Sequence, residues 1–270
     1  MKFMRTPFNR LLSTLVVTLC LPALGIAQDS GTDNGREFHW TGKLAPDQVV
    51  VIKDINGDID ATGSSSSDQV EVSAEKTGNG AEDVKIHVVK LNDGVMICAV
   101  YPAFFSSNSG GCDSSSHFGN SHNNAKVHFT VRMPRNLRFT GNNVNGGVNA
   151  ESMGRYVEAS SVNGGIRIST SSWASANTVN GSIEATIGRA EWSGDLEFKS
   201  VNGRVKVELP ASANTDVDFT SVNGQLETDF PLTVKGSIGR HSVHGTIGSG
   251  GRSLEIKTVN GGGELRKASV

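Results

Sequence analysis

The stretch Ser161-Val162-Asn163-Gly164-Gly165-Ile166-Arg167-Ile168 decides the fold, because its central word Val-Asn-Gly returns throughout the second half of the chain. The seven copies, one with His in place of Asn, are Val144-Asn145-Gly146, Val162-Asn163-Gly164, Val179-Asn180-Gly181, Val201-Asn202-Gly203, Val222-Asn223-Gly224, Val243-His244-Gly245 and Val259-Asn260-Gly261. Successive valines are 18, 17, 22, 21, 21 and 16 residues apart. Such a period indicates a repeat protein, whose units bury their apolar faces by stacking on one another.

Each copy lies between two short segments in which apolar residues alternate with polar ones. Four and six residues after the valine the positions are mostly apolar, as in Ile166 and Ile168, and the residue between them is polar, as in Arg167. The position five residues before the valine is apolar in every copy, as in Val157. Period-2 alternation predicts strands with one buried and one wet face. We therefore predict an all-β chain with two short strands per unit.

The Asn-Gly pair of each copy is predicted to form a structural corner. Apolar residues stand at odd offsets before the valine and at even offsets after it, so the chain must bend there to keep one core. Glycine adopts positive φ freely and asparagine tolerates the left-handed region. With the related word Ile55-Asn56-Gly57, the predicted corner residues are Asn56, Gly57, Asn145, Gly146, Asn163, Gly164, Asn180, Gly181, Asn202, Gly203, Asn223, Gly224, His244, Gly245, Asn260 and Gly261.

Two architectures fit these corners. Asn-Gly also favours two-residue hairpins, so an antiparallel meander is one alternative. We favour a β-solenoid (β-helix) of about seven to eight two-strand rungs, because identical residues at fixed offsets suit equivalent rungs stacked about 4.8 Å apart. In this arrangement the rung after Leu265 would be the last one and uncovered.

The rest of the chain divides into segments of different composition. Residues 1–27 carry basic residues ahead of an apolar run and are predicted to be a secretory signal peptide, with lipidation at Cys20 as an alternative. Residues 28–37 are expected to be a flexible mature N-terminus, and 38–135 an N-terminal β cap with a long inserted loop at 102–125. The repeats span 136–266, and 267–270 form a tail. No later segment is apolar over the length of a membrane helix, so we predict an exported protein that is periplasmic, cell-surface or secreted.

The charge of the chain bears on its partners, and its cysteines bear on a disulfide. Without Lys2, Arg5 and Arg10 the formal charge is 22 minus 27, or -5. The remaining basic residues are scattered, which argues against nucleic acid as a partner. Cys98 and Cys112 are predicted to form a disulfide in an oxidising compartment. A metal site that adds His117 and His122 is the alternative, although the spacing of these residues is irregular.

The sequence also argues against catalysis. The densest acidic cluster is Asp54, Asp58 and Asp60, but Gly57 stands at the wrong position for a calcium loop. We predict that Asp58 and Asp60 lie on the wet face of a strand. No serine nucleophile elbow and no His-Glu-x-x-His motif is present. We therefore predict no enzyme, no cofactor and no metal, with a carbohydrate-active enzyme on a β-helix as an alternative.

One aromatic pair is the candidate binding site. Tyr156 and Trp173 each stand six residues before their valine, with outward parity relative to Val157 and Ala174. In stacked rungs their rings would lie about 5 Å apart and could form a platform for sugar rings or peptide segments. The alternative is that the rings plug the edge of the solenoid.

Several motifs together resemble a known family. They are the Thr/Ser-Val-Asn-Gly words, Ile-Asn-Gly-Asp-Ile at 55–59, Arg132-Met133-Pro134, Val207-Glu208-Leu209-Pro210, and His244-Gly245-Thr246-Ile247-Gly248 followed by Gly250-Gly251. Over roughly residues 38 to 266 the chain resembles the bacterial putative-adhesin β-solenoid family. The resemblance implies an exported, envelope-associated or secreted β-helical protein without established catalytic residues. Some relatives are linked to cell-envelope stress responses.

The sequence thus predicts an exported, non-enzymatic β-solenoid protein that acts in adhesin-like binding or scaffolding at the bacterial cell envelope. Its expected partner is an envelope or extracellular glycan, or an envelope protein. A periplasmic accessory or sensor protein of an envelope-stress pathway is the alternative within the same architecture.

Overall fold

The computed structural model describes residues 31–102, 112, 124–190, 192, 194–234 and 241–268. The predicted signal peptide, His117, His122 and most of the predicted loop at 102–125 lie outside them. Apart from one 3-10 turn at Ala81–Asp83, the regular elements are strands. In chain order they are β1 (Thr32–Asp33), β2 (Glu37–Gly42), β3 (Val49–Lys53), β4 (Ile59–Ser64), β5 (Val70–Thr77), β6 (Lys85–Leu91), β7 (Gly94–Val100), β8 (Lys126–Pro134), β9 (Arg138–Asn142), β10 (Val148–Met153), β11 (Val157–Asn163), β12 (Ile166–Thr170), β13 (Ala174–Asn180), β14 (Ile183–Ile187), β15 (Leu196–Asn202), β16 (Val205–Leu209), β17 (Thr215–Asn223), β18 (Leu226–Thr228), β19 (Thr233–Val234), β20 (Ser242–Ile247), β21 (Ser253–Asn260) and β22 (Gly263–Lys267).

The strands form two sheets, each largely parallel in its middle. The first sheet has the order β1-β2-β5-β8-β4-β10-β12-β14-β16-β22-β18. The second has the order β19-β20-β17-β21-β15-β13-β11-β9-β3-β7-β6. Each unit that contains a Val-Asn-Gly word contributes one strand to each sheet, so the prediction of an all-β, β-solenoid-like chain is confirmed.

A single unit shows how the sequence produces this arrangement. In β11 the side chains of Val157, Ala159 and Ser161 point inward and are buried. The chain then bends, and β12 places Ile166 and Ile168 in the same core from the other sheet. Burial of one such aliphatic side chain contributes about 1.5–3 kcal/mol, and the period-2 pattern repeats that contribution in every unit.

A ladder of asparagine side chains joins the units at their corners. From the second member onward, the Nδ2 group of each asparagine donates to the Oδ1 atom of the preceding member at 2.8–2.9 Å. The order of the ladder is Asn56, Asn145, Asn163, Asn180, Asn202, Asn260 and Asn223. Each internal member donates once and accepts once, so it forms both bonds only when both neighbouring units also have asparagine at this position.

The glycines of the corners are required mainly by close backbone approach. A Cβ atom on Gly181 would lie 2.0 Å from the carbonyl oxygen of Gly164, far inside van der Waals contact. Gly164, Gly203, Gly224 and Gly261 are in the same situation, with distances of 1.8–2.0 Å. Among the glycines of the words, positive φ occurs at Gly57 and Gly146. The expectation that positive φ is the general reason for these glycines was therefore wrong.

The residue before each valine supports the corner from inside the core. The hydroxyl groups of Ser161, Thr178 and Ser200 donate to the glycine carbonyl oxygen of the preceding unit at 2.8–2.9 Å. Asn143, which stands at the same position, donates to the Gly57 carbonyl oxygen through Nδ2 at 2.6 Å. These bonds satisfy buried polar groups that would otherwise cost free energy.

The final unit departs from the expected order. β21 lies between β15 and β17, and β22 lies between β16 and β18. The unit of Val259 is therefore inserted between the units of Val201 and Val222, and Leu265 is not in an uncovered last rung. Each of these units presents the same asparagine amide at its corner, so the units can stack in an order that differs from their order in the chain.

The predicted corner at His244 and Gly245 was also wrong. Both residues lie inside β20, which runs antiparallel to β17 and places His244 opposite Asp218. Without the asparagine amide this unit cannot extend the ladder. It covers one side of β17 instead, and the His244 ring bonds the Asp218 carboxylate through Nδ1.

The N-terminal region continues both sheets beyond the unit of Ile55. β3 and β4 pair in parallel with β9 and β10, and β7 and β8 follow them. Beyond these, β6 and β5 are antiparallel. This placement is the one that a cap requires, and the capping role of 38–135 stays a prediction. Cys98 and Cys112 are joined as a disulfide, with their Cα atoms 5.8 Å apart.

Replacing Asn180 by Asp tests the ladder. The substitution removes the group that donates to Asn163 and places a carboxylate oxygen against the Oδ1 atom of Asn163. We therefore expect the free energy of unfolding to fall by about 1–3 kcal/mol. Asn177→Asp makes the same change in the same strand outside the ladder, and we expect a change within about 0.5 kcal/mol. Urea unfolding of both variants measures the difference. Equal losses would show that the ladder contributes nothing specific.

Candidate binding surface

The outer face of the second sheet presents its side chains as straight columns. Parallel pairing in register superimposes equivalent residues of β11, β13, β15, β21 and β17. Three columns result: an acidic column (Glu158, Glu197, Glu255 and Asp218, with Ser175), a lysine column (Ser160, Asn177, Lys199, Lys257 and Thr220) and a valine column (Val162, Val179, Val201, Val259 and Val222). Side chains alternate across a strand, so these columns share one face.

Tyr156 and Trp173 meet at the end of this face that lies away from the valines. They directly precede β11 and β13, and the Val157 amide donates to the Trp173 carbonyl oxygen at 3.1 Å. Their ring centroids are 3.8 Å apart and their planes differ by 8°. The Trp173 indole N–H donates to the Asp195 carbonyl oxygen at 2.8 Å, which fixes the ring. The structure thus brings the two predicted residues together.

The stack differs from an open platform in one respect. Because the two strands pair in register, each ring covers one face of the other. Both side chains are half-buried, and Trp173 also contacts the core. A ligand can therefore use the ring edges and the faces that the stack leaves uncovered.

The surroundings of Tyr156 keep its phenol neutral. Partial burial raises the pKa of Tyr156, the Glu158 carboxylate raises it further, and the Arg138 guanidinium opposes the shift. At physiological pH the phenol is therefore a hydrogen-bond donor and acceptor. Such a group suits the hydroxyls of a sugar.

The valine column is the principal apolar feature of the described surface. Its members are 38–55% exposed, and they are the exposed large apolar side chains found among the described residues. Val179, Val201 and Val259 line a shallow groove of about 370 Å³ together with residues of the lysine column. The sequence analysis assigned the valine to the corner word and did not predict that its side chain faces outward. The inward Ser or Thr directly before it predicts this, because side chains alternate along a strand.

Ion pairs hold the two lysines of this face. The Lys199 ammonium contacts the Glu197 carboxylate and lies 3.8 Å from Glu255, and Lys257 contacts Glu255. The lysine side chains are 42% and 49% exposed. Exposed pairs contribute only about 0–1 kcal/mol, so both ammonium groups can turn towards a ligand at little cost.

The outer face of the first sheet is a mixed-charge surface. Arg167 pairs with Glu184 at 3.1 Å, and the Asp60 carboxylate lies 3.3 Å from the His128 ring. The Asp58 carboxylate accepts the Gly147 amide at 2.7 Å. Within the described ranges, no three His, Cys, Asp or Glu side chains come together as a metal site.

Asp54 does not join Asp58 and Asp60. It stands in the column of buried Ser and Thr residues, at the end of the ladder, and is 5% exposed. Its Oδ1 atom accepts the Tyr101 hydroxyl at 3.1 Å, whereas Oδ2 is buried without a hydrogen-bond partner in the described structure. Burial is the main cause that raises the pKa of Asp54 to about 7, and the charge of Asp58 adds to it. Burial and the nearby Asp54 charge also raise the pKa of Tyr101.

This carboxyl group makes stability depend on pH. The folded-state pKa lies above the ordinary value of 3.8, so the folded state holds the proton more tightly. The stabilisation is complete below about pH 4 and is lost as pH rises through about 7. From pH 4 to 8 we expect Asp54→Asn to gain stability relative to wild type, by at most about 4 kcal/mol.

Thermal unfolding of wild type and variant across this range measures the gain. Asp68→Asn is the control, because the Lys43 ammonium lowers the pKa of Asp68 and reverses the sign. Parallel pH profiles for wild type and Asp54→Asn would contradict the assignment.

Two parallel sheets joined at repeated corners define a β-solenoid-like class of repeat protein. Within that class the chain belongs to the Toastrack DUF4097 family, whose model matches residues 47–265. The match runs from β3 into β22 and does not include β1 and β2. No curated protein sequence matches the chain.

Three solved structures align with most of this chain at low sequence identity. A "putative cell adhesion protein" from Clostridium sporogenes is 10% identical, with 86% of this chain and 99% of that chain covered and a TM-score of 0.48. A "putative adhesin" from Bacteroides fragilis is 9% identical (86% and 97% covered, TM-score 0.31). A "putative lipid binding protein" from Parabacteroides distasonis is 9% identical (87% and 98% covered, TM-score 0.28). Identities this low do not transfer a function.

No helix in the described part of the chain has the length and apolar character needed to cross a membrane.

Proposed function

We propose that this chain is a non-catalytic, adhesin-like binding or scaffolding protein, exported by segment 1–27 to the bacterial cell envelope. The observation that carries the proposal is the set of in-register columns on the outer face of the second sheet. On this face the valine column repeats the same side chain at every strand, about 4.8 Å apart, and the other two columns repeat theirs in part. A repetitive ligand can add weak contacts along it, and the total affinity then exceeds that of any single contact.

The aromatic pair is the proposed contact for a glycan. Tyr156 and Trp173 combine apolar ring surface with a neutral phenol, and the hydrogen bond to Asp195 holds Trp173 in place. Aromatic edges and faces pack against the C–H surface of a sugar, while the phenol forms hydrogen bonds with the hydroxyl groups of the sugar. An envelope protein is the other partner that this face could accept.

Binding of the purified protein to an array of bacterial and host glycans and to isolated peptidoglycan tests the proposal. We expect saturable binding that Trp173→Ala weakens about tenfold, a loss of about 1.4 kcal/mol. Trp173→Phe keeps an aromatic stack with Tyr156 and should retain most of the affinity. Turnover of a bound glycan would contradict the non-catalytic assignment. A blank array with specific retention of one membrane protein would favour an envelope-stress sensor.

Lipid binding is a second candidate, and the exposed valine column favours it. Aliphatic side chains that face water in an unbroken line lower their free energy when an apolar ligand covers them. We expect protein that has been incubated with a total bacterial lipid extract and then gel-filtered to retain lipid, detected by mass spectrometry. Lipid-free protein after this treatment would exclude the second candidate.

A further inference from the structure

We infer that the valine column binds one acyl chain of an anionic amphiphile, with the head group at Lys199 and Lys257. The inference rests on the second candidate function above and adds its site and ligand class. From Val162 to Val222 the column crosses four strand spacings, about 19 Å. With its head group beside β15 and β21, the chain would lie across the strands from Val259 towards Val162, which is three of these spacings, about 14 Å.

The valines are not explained by folding alone. Their side chains are 38–55% exposed, whereas the buried positions of the same strands supply the core. Threonine has a similar preference for strands and is better hydrated. The neighbouring outward columns hold Ser, Thr, Asn, Lys, Glu and Asp. Valine at five successive strands therefore indicates an apolar contact outside the fold.

The dimensions of the column favour a slender ligand. It is one side chain wide, and five partly exposed valines offer far less than the roughly 800 Å² per partner of a stable protein interface. In an extended peptide, side chains on one face repeat every ~6.6–6.8 Å, which does not match a strand spacing of ~4.8 Å. A polymethylene chain is smooth and needs no register. The groove beside Val179, Val201 and Val259 is where this chain would bind.

The charges beside the column favour an anionic head group. On one side lies the asparagine ladder, which is neutral. On the other side the lysine column contains no carboxylate, and its cations, Lys199 and Lys257, stand on the adjacent strands β15 and β21. Their aliphatic stems extend the apolar wall while their ammonium groups reach solvent. The nearest carboxylates, Glu197 and Glu255, belong to the next column, and the lysines can leave them for a ligand.

Titration with monomeric myristate, below its micelle concentration, tests the site in the full-length protein. A single myristoyl chain binds a membrane with a Kd of about 100 µM, and we expect one site of similar or weaker affinity here. The triple variant Val179→Thr/Val201→Thr/Val259→Thr should bind at least tenfold more weakly. Val51→Thr, the same change on the same sheet outside the column, should bind as wild type does.

Charge is tested separately. Lys199→Gln/Lys257→Gln should weaken myristate binding several-fold and leave binding of a neutral tetradecyl maltoside unchanged. Urea midpoints of all variants confirm folding. A loss of both ligands in the lysine variant would contradict the proposed place of the head group.

The remaining outcomes separate this inference from the function on which it rests. If the protein retains lipid but the triple variant binds myristate as wild type does, lipid binding stands and the valine site is wrong. If neither lipid extract nor myristate binds, both fail. Binding to phosphatidylglycerol vesicles without binding of monomeric myristate would assign the face to a bilayer and overturn the single-chain site. A wild-type dimer that the triple variant converts to a monomer would assign it to a second copy.

Discussion

The hydrogen bond between asparagine side chains of adjacent units is the interaction on which the rest of the structure depends. It brings the corners so close that a Cβ atom on Gly181 would overlap the Gly164 carbonyl oxygen. It also sets the register of the strands on either side. A slip by one residue would turn every core side chain outward. The asparagine and glycine of the word therefore act together, one by bonding and the other by leaving room.

The same register organises the surface. Equivalent positions on neighbouring strands are superimposed, so any residue type that recurs becomes a continuous column. This is why Tyr156 and Trp173 stack face to face, and why exposed valines that are unremarkable singly form one apolar line. Inside the core the same superposition aligns the hydroxyl groups that bond the corner glycines. Fold and candidate binding surface thus have a common physical origin.

Much of this could be predicted from the sequence because the determinants are local. Period-2 alternation placed the two strands of each unit, the change of parity placed the bend, and equal offsets placed Tyr156 beside Trp173. The position of the last unit could not be predicted, since units with the same ladder groups can stack in more than one order. The burial of Asp54 was missed for a different reason. Alignment of Ile55-Asn56-Gly57 with the later words places Asp54 at the position of the buried Ser and Thr residues, but a carboxylate is seldom buried, so its residue type did not indicate burial.

The insertion of the last unit has a consequence for how the chain reaches its native state. A solenoid whose layers follow chain order can grow from its N-terminus as residues become available, each layer using the previous one as a template. Here β17 and β18 rest on β21 and β22, which come later in the chain. Assembly cannot be completed in order of synthesis, because the unit of Val222 must wait for the C-terminal segment. Loss of that segment would remove a layer from the middle of the stack and leave β17 and β18 without their parallel partners.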